Sequence, residues 1–242
     1  MVESLGVDRY RNIVVLTGAG ISAASGLPTY RGPGGLWETV GEENVPTARS
    51  LIENPQGTWA LVRELRERSR SAAPNPAHTA LARLEERTLA RGASFTLVTQ
   101  NVDGLHRRAG SSNVIEFHGS LFRARCSRDA CESEPIPDDA EEPTSAQCST
   151  CGSALRPDVV LFDELIPARP EWDVKRALRA CDLFIAVGTS GTVSPASSFV
   201  RSAAYAGART ILVNLEPMQP RHPDFHEEYL GRAETLLPLI LD

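Results

Sequence analysis

Five short apolar runs constrain this chain more than any other feature. They are Asn12–Thr17 (NIVVLT), Phe95–Thr99 (FTLVT), Val114–Phe117 (VIEF), Leu183–Val187 (LFIAV) and Thr210–Val213 (TILV). Each is aliphatic or β-branched on both faces, which suits a parallel strand covered on both sides. Glycine or polar residues follow each run at once. Open α/β sheets bind ligands beyond the carboxyl ends of their strands. The tails GAG, QNVDGLH, HG, GTS and NLEP are therefore expected to converge on one rim.

Between the runs lie helix-like segments. Ala77–Arg91 carries leucines at helical spacing with charge on the other face. Thr58–Ser69 (TWALVRELRERS) is a second amphipathic candidate. Pro170–Ala180 and Pro195–Ala206 read as helices with proline at the start, where its missing N–H costs nothing. The segment Arg125–Leu155 differs: it is rich in Cys, Pro, Asp, Glu and Ser. It reads as a small module inserted between two strands. The fold class expected from this pattern is α/β, a parallel sheet with helices between its strands and a small inserted module.

The chain has 242 residues, 41% of them apolar, enough for one large domain with a small insert or for two modest domains. No apolar stretch approaches the roughly 20 residues a bilayer span requires. The N-terminus MVESLGVDRYRN lacks the apolar middle of a secretory signal. A cytoplasmic protein without a membrane partner is expected. The formal charge of −6 comes without a long run of one sign, so no nucleic-acid footprint is present. An acidic balance suits a basic, lysine-bearing partner.

After Asn12–Thr17 the chain reads GAGISAASGLPTYRG. Gly18, Gly20 and Ala23 match the G-x-G-x-x-G/A turn that cradles a dinucleotide pyrophosphate. A plain strand-to-helix turn is the other reading of these glycines. An ordinary dinucleotide site would place an acid at the end of a second strand about 20 residues on. Here LPTYRGPGGLWE stands there instead, a Pro/Gly-rich loop of the kind that closes over ligands.

Four of the five cysteines form two close pairs, Cys126 with Cys131 and Cys148 with Cys151. Two such pairs across a polar loop suit one tetrahedral zinc ion. A redox C-x-x-C leaves the first pair unexplained. Four sulfur ligands leave no open coordination position, so the metal would be structural. Cys181 stands apart ahead of an apolar run and reads as a buried core thiol.

Taken in order, GAGISAASGLPTYRG, TQNVDGLH, FHG, the cysteine pairs, PDVVLF, GTS and NLEP resemble the sirtuin (Sir2-type) family, and the short bacterial members most closely. The resemblance covers nearly the whole chain. It implies one catalytic domain over residues 1–242. The large Rossmann-like part would take about 1–35, 78–124 and 154–242. The small module would take about 36–77 (helical) and 125–153 (zinc ribbon). The implied activity is NAD-dependent deacylation of protein lysines. The acyl group moves to ADP-ribose, and nicotinamide and O-acyl-ADP-ribose are released. NAD is then a co-substrate, zinc a structural ion, and acyl-lysine proteins or peptides the partners. An NAD glycohydrolase or ADP-ribosyltransferase is the first rival, and a non-catalytic NAD-sensing module the second.

The resemblance also assigns residues. His118 is the general base, work suited to a histidine near neutral pKa. Asn101 and Asp103 orient the ribose and the nicotinamide amide, with Gln100 on the ribose and Val102 beside it. Gly18, Ala19, Gly20, Ile21, Ser22, Pro28, Tyr30, Arg31 and Trp37 line the cofactor from the glycine-rich region. Tyr30 replaces the usual Phe. Gly188, Thr189 and Ser190, then Asn214, Leu215 and Glu216, hold the phosphates and the adenosine end, with Ala233 near the adenine. Val159, Val160 and Phe162 belong to a strand edge that receives the substrate peptide. Asp163 stands where the family has Gly. His106 reads as structural. Relatives that remove succinyl or malonyl groups carry a Tyr-x-x-Arg pair. WALVRELRER offers Arg63, Arg66 and Arg68 without the Tyr, so uncharged acyl groups are expected and these arginines read as a solvated helix face.

Overall fold

The computed structural model describes residues 3–29, 35, 46–138 and 147–242. Strands β1 (Asn12–Thr17), β2 (Ser94–Thr99), β3 (Val114–Glu116), β7 (Leu183–Val187), β8 (Arg209–Asn214) and β9 (Glu227–Leu230) form one sheet. Its order is β3-β2-β1-β7-β8-β9, and every neighbouring pair is parallel. The first five coincide with the five apolar runs to within one residue. Along β1, Ile13 and Val15 face one hydrophobic core while Val14 and Leu16 face the other. That alternation is why the run is apolar throughout.

Helices cover both faces. On one face, α3 (Pro76–Ala90) and α7 (Ala233–Ile240) supply Leu81, Leu84, Leu237 and Ile240. On the other, α5 (Ala168–Arg179) and α6 (Phe199–Tyr205) supply Val174, Leu178, Phe199 and Val200. Each such side chain contributes about 1.5–3 kcal/mol when fully buried. The start of α3 is dictated locally. Asn75 caps it, Pro76 takes the first turn, and the His78 ring accepts the Asn75 amide to complete a capping box. A single short turn of helix, α4 (Leu105–Arg108), follows β2. Pro195–Ala206 resolves into a short 3₁₀ turn at Ala196–Ser198 followed by α6.

A second sheet of three antiparallel strands has the order β5-β4-β6: β4 (Gly119–Cys126), β5 (Ile136–Pro137) and β6 (Leu155–Val159). Against it lies α2 (Pro55–Ser71), preceded by α1 (Ala48–Glu53). Trp59, Val62, Leu121, Val159 and Leu161 make a small core between them. The pattern reading missed β9. It is an edge strand reading EEYL, with no residue fully buried, so it carries no apolar run.

Candidate active site

Strand β1 lies at the centre, with β2 on one side and β7 on the other. Chain connections leave it in both directions, which makes the gap beyond β1 and β7 the switch point where such sheets bind ligands. The glycines there serve close packing. A Cβ on Gly20 would lie 2.7 Å from Gly188 Cα, and one on Gly188, at φ +59°, would lie 2.5 Å from the Ile21 amide nitrogen. The Gly18 amide donates to Val187 O (3.0 Å) and the Gly20 amide to Gly188 O (2.9 Å). These two amides therefore join the loops to each other. The segment Ala19–Ser25 is a 3₁₀ helix, not the α-helix of an ordinary dinucleotide turn.

Beyond this turn a buried knot of polar groups forms. Ser22 Oγ donates to Asp103 Oδ2 (2.7 Å) and accepts from Asn101 Nδ2 (3.1 Å). Asn101 Nδ2 also reaches Gly18 O (3.1 Å). His78 Nδ1 accepts the Asn75 amide, so its Nε2 carries the proton and faces Ser22 Oγ at 3.5 Å. Burial depresses the His78 pKa to about 4, keeping the ring neutral. His106, on α4, packs against it, ring centroids 4.8 Å apart, and meets Thr17 Oγ1 at 2.9 Å; its pKa is also lowered, mainly by burial. Burial raises the Asp103 pKa, opposed by hydrogen bonds from the Leu105 amide and Ser22.

His118 follows β3 in a turn that Gly119 closes. There φ is +84° and a Cβ would lie 1.9 Å from Asp158 O. His118 Nδ1 meets the Gln100 carbonyl at 2.9 Å. A carbonyl only accepts, so Nδ1 carries the proton and Nε2 keeps a free lone pair. Burial lowers the His118 pKa below 6.5 more than this bond raises it. Gln100 Nε2 donates to Thr189 Oγ1 (3.1 Å), and Asn214 Nδ2 donates to Thr189 O (2.9 Å). The ends of β2, β7 and β8 are thus tied together.

A cleft joins Ala19, Ser22, Pro28, Asn101, Val102 and Asp103 to Leu65 and Ser69 of α2. Ser190 lies beyond β7, its Oγ 2.9 Å from Thr192 Oγ1, and Leu215 and Glu216 are exposed beyond β8. Ile21 and Ala233, expected beside the cofactor, belong to the apolar core. Tyr30, Arg31 and Trp37 lie outside the described residues. Sequence reasoning missed His78, Leu65 and Ser69. The Pro-Asn-Pro-Ala-His run places His78 in a first helical turn, but nothing local aims it at Ser22.

The expected open strand edge at Val159–Phe162 is largely engaged within the chain. The Val160 amide donates to His118 O (2.9 Å), and the Leu161 amide to Glu164 Oε2 (2.9 Å). The Phe162 amide donates to Pro46 O (3.1 Å), and its carbonyl accepts from Ala48 N (3.2 Å). Asp163 is the one non-glycine with positive φ (66°) among the described residues, and its Oδ1 also accepts the Ala48 amide (2.8 Å). The carboxylate thus offsets part of the strain that glycine would avoid. The arginines of α2 are likewise not a plain solvated face. Arg66 is buried, paired with Asp138 Oδ2 at 2.7 Å, bonded to Leu121 O and stacked over Trp59.

The Sγ atoms of Cys126, Cys131, Cys148 and Cys151 all lie within 4.8 Å of one another. Cys126 and Cys151 are 3.5 Å apart, Cys131 and Cys148 3.7 Å. Zinc–sulfur bonds of about 2.3 Å in a tetrahedron separate sulfurs by about 3.8 Å. The four thiols therefore fit one zinc ion. Cys181 is buried elsewhere, its pKa pushed up to about 12 by burial.

Fold and site together define a dinucleotide-binding α/β protein with polar side chains gathered at its strand ends and a four-cysteine cluster that fits one zinc ion. The Sir2 family profile matches residues 18–195. A protein from Thermus thermophilus named NAD-dependent protein deacylase is 45% identical over 212 residues, covering 87% of this chain and 82% of that protein. A Sir2 homologue solved in complex with NAD superposes with a TM-score of 0.85 at 33% identity, covering 100% of this chain and 94% of the other. A Sir2 protein solved with a p53 peptide and NAD+ gives a TM-score of 0.77 at 28% identity, covering 96% and 93%. The chain belongs to the Sir2 family.

Proposed function

We propose that this chain is an NAD-dependent protein-lysine deacylase, which transfers the acyl group to ADP-ribose and releases nicotinamide and O-acyl-ADP-ribose. The observation that carries the reading is His118, whose Nδ1 faces a carbonyl so that Nε2 is free as a base at the ligand-binding rim. Relatives named NAD-dependent protein deacylase, and Sir2 structures holding NAD and a peptide, support it. NAD supplies the ribose carbon that the acyl oxygen captures when nicotinamide leaves. His118 takes the proton from a ribose hydroxyl. Asn101, held by Gly18 and Ser22, orients the ribose, and Asp103 meets the nicotinamide amide. Gln100, Gly188, Thr189, Ser190 and Asn214 hold ribose and phosphates at the tied strand ends. Val160 and Phe162 line the passage for the acyl-lysine.

Cys126, Cys131, Cys148 and Cys151 would hold one zinc ion, which would keep the ribbon folded and, with four sulfur ligands, have no open position for the reaction. The chain divides into a large Rossmann-like part and a small module made of the helical segment and the ribbon. No helix among the described residues is long and apolar enough to cross a membrane. We place the protein in the cytoplasm, where thiols stay reduced for a metal. Uncharged acyl groups are its substrates: Arg66 is committed to Asp138, and Arg68 pairs with Glu64.

The test is incubation with NAD and an acetyl-lysine peptide, followed by mass spectrometry. Deacetylated peptide and O-acetyl-ADP-ribose should appear in equal amounts. In His118→Ala the rate should fall by about 10²–10⁴-fold. Nicotinamide release that does not need the peptide would favour a glycohydrolase and sink the deacylase reading.

A further inference from the structure

We propose that Glu164 is a positioning residue for the acylated peptide, fixing the loop 159–164 to the ribbon strands through two opposed arginines. The inference rests on the deacylase reading above. Arg125 on β4 and Arg156 on β6 are direct register partners. Two cations opposite each other on an antiparallel pair repel. Both turn toward one carboxylate. Arg156 Nη1 bonds Glu164 Oε1 and its Nη2 meets Oε2 at 3.1 Å, while Arg125 Nη2 meets Oε2 at 3.3 Å. The side chains of Glu164 and Arg156 are each only 11% exposed, so water screens the cluster little.

The same carboxylate shapes the loop. Its Oε2 accepts the Leu161 amide at 2.9 Å, and the Glu164 amide donates back to Leu161 O at 3.2 Å. Arg156 Nη2 holds the Val159 carbonyl at 3.1 Å. The backbone on either side of Val160 is therefore set by one ion cluster, and Asp163 takes its left-handed conformation inside the closed turn. Without the charge of Glu164, the two guanidiniums would face each other uncompensated, and the loop would lose its anchor to β4 and β6. The side-chain bonds of the catalytic rim do not pass through Glu164, and the loop meets the rim through backbone, the Val160 amide donating to the His118 carbonyl.

Glu164→Gln separates this role from a merely structural one. The amide keeps the shape and an acceptor for Leu161 but removes the charge. Peptide KM, and the Kd of a fluorescent acetyl-lysine peptide by anisotropy, should rise about tenfold, because part of the destabilisation that follows when a buried ion pair loses one partner is felt in the loop. The kcat at saturating peptide and the KM for NAD should stay within about twofold. Should that variant melt below the assay temperature, Arg125→Gln keeps the Arg156 pair and should show the same split at about threefold. Peptide KM and Kd within about twofold of the unaltered protein, or a matching loss in kcat and NAD binding, would overturn the inference. An unaltered protein that never deacylates the peptide would instead overturn the deacylase reading, and the anisotropy comparison would still decide the role of Glu164.

Discussion

Strand β1 and strand β4 sit in one chain but are stabilised by different physics. Around β1, apolar side chains cover both faces of the sheet, and its polar knot is made of neutral or hydrogen-bonded groups such as Ser22, Asn101 and His78. Along β4, burial of aliphatic side chains ends at Ala124. From Arg125 to Asp158 no Ala, Val, Leu, Ile or aromatic side chain is buried among the described residues. Four thiols and a set of ion pairs stand in their place. A region short of apolar area can be ordered by a metal or by compensated charge, but it then depends on both. The rim that would do the chemistry is built on the robust half, and the loop that would receive the peptide hangs on the other.

The largest effect should come from the ribbon. A structural zinc site contributes on the order of 10 kcal/mol of binding free energy. Cys148→Ser should abolish stoichiometric zinc and leave the β4 and β6 amides in fast hydrogen exchange, with β1 and β7 still protected. Equal loss of protection in both sheets would break the comparison, because the two regions would then unfold as one.

Next is Gly188→Ala, which strains φ and drives a Cβ into the backbone of the glycine turn. It should cost about 3 kcal/mol in urea unfolding. Gly207→Ala is the control: its φ is +88° and a Cβ there meets nothing within 4 Å. That change should cost about 1 kcal/mol, so the difference measures the close approach of the two loops.

The polar knot should show itself in pH dependence. His78 is held at about 4 in the fold against 6.5 in the unfolded chain. Above pH 6.5 the ring is neutral in both states and has no effect. As pH falls from 6.5 to about 4 only the unfolded chain takes up the proton, so stability drops, by about 3 kcal/mol at the limit. His106, also lowered, acts in the same direction. His78→Asn should flatten this acid limb in thermal melts between about pH 4 and 6.5. An unchanged slope would mean that the knot does not hold the ring neutral.

Asp163→Gly should have the smallest effect. It relieves a left-handed φ but gives up the bond to the Ala48 amide. The two changes are each about 1 kcal/mol and opposite in sign, so the melting temperature should barely move. A clear rise would show that the carboxylate contributes little there.

Much of this was legible without coordinates. The five runs marked the strands of the parallel sheet because burial on both faces leaves its trace on every residue. The glycine turn and the cysteine spacing are short-range and chemically specific, so they too survive as text. The edge strand β9 left no such trace, since only one neighbour and partial burial act on it. The arginines of α2 read as solvent-facing, yet Arg66 meets Asp138, 72 residues away, and is buried.

Residue order alone was enough to say where the strands run, which thiols can share a metal, and which polar residues stand at strand ends. Three-dimensional packing was needed to bring His78 to Ser22, to set Glu164 between Arg125 and Arg156, and to pair Phe162 with Pro46 and Ala48. Periodicity encodes which side of an element faces the core. The fate of a buried charge or an open amide depends on what arrives opposite it from a distant part of the chain, and no local pattern carries that information.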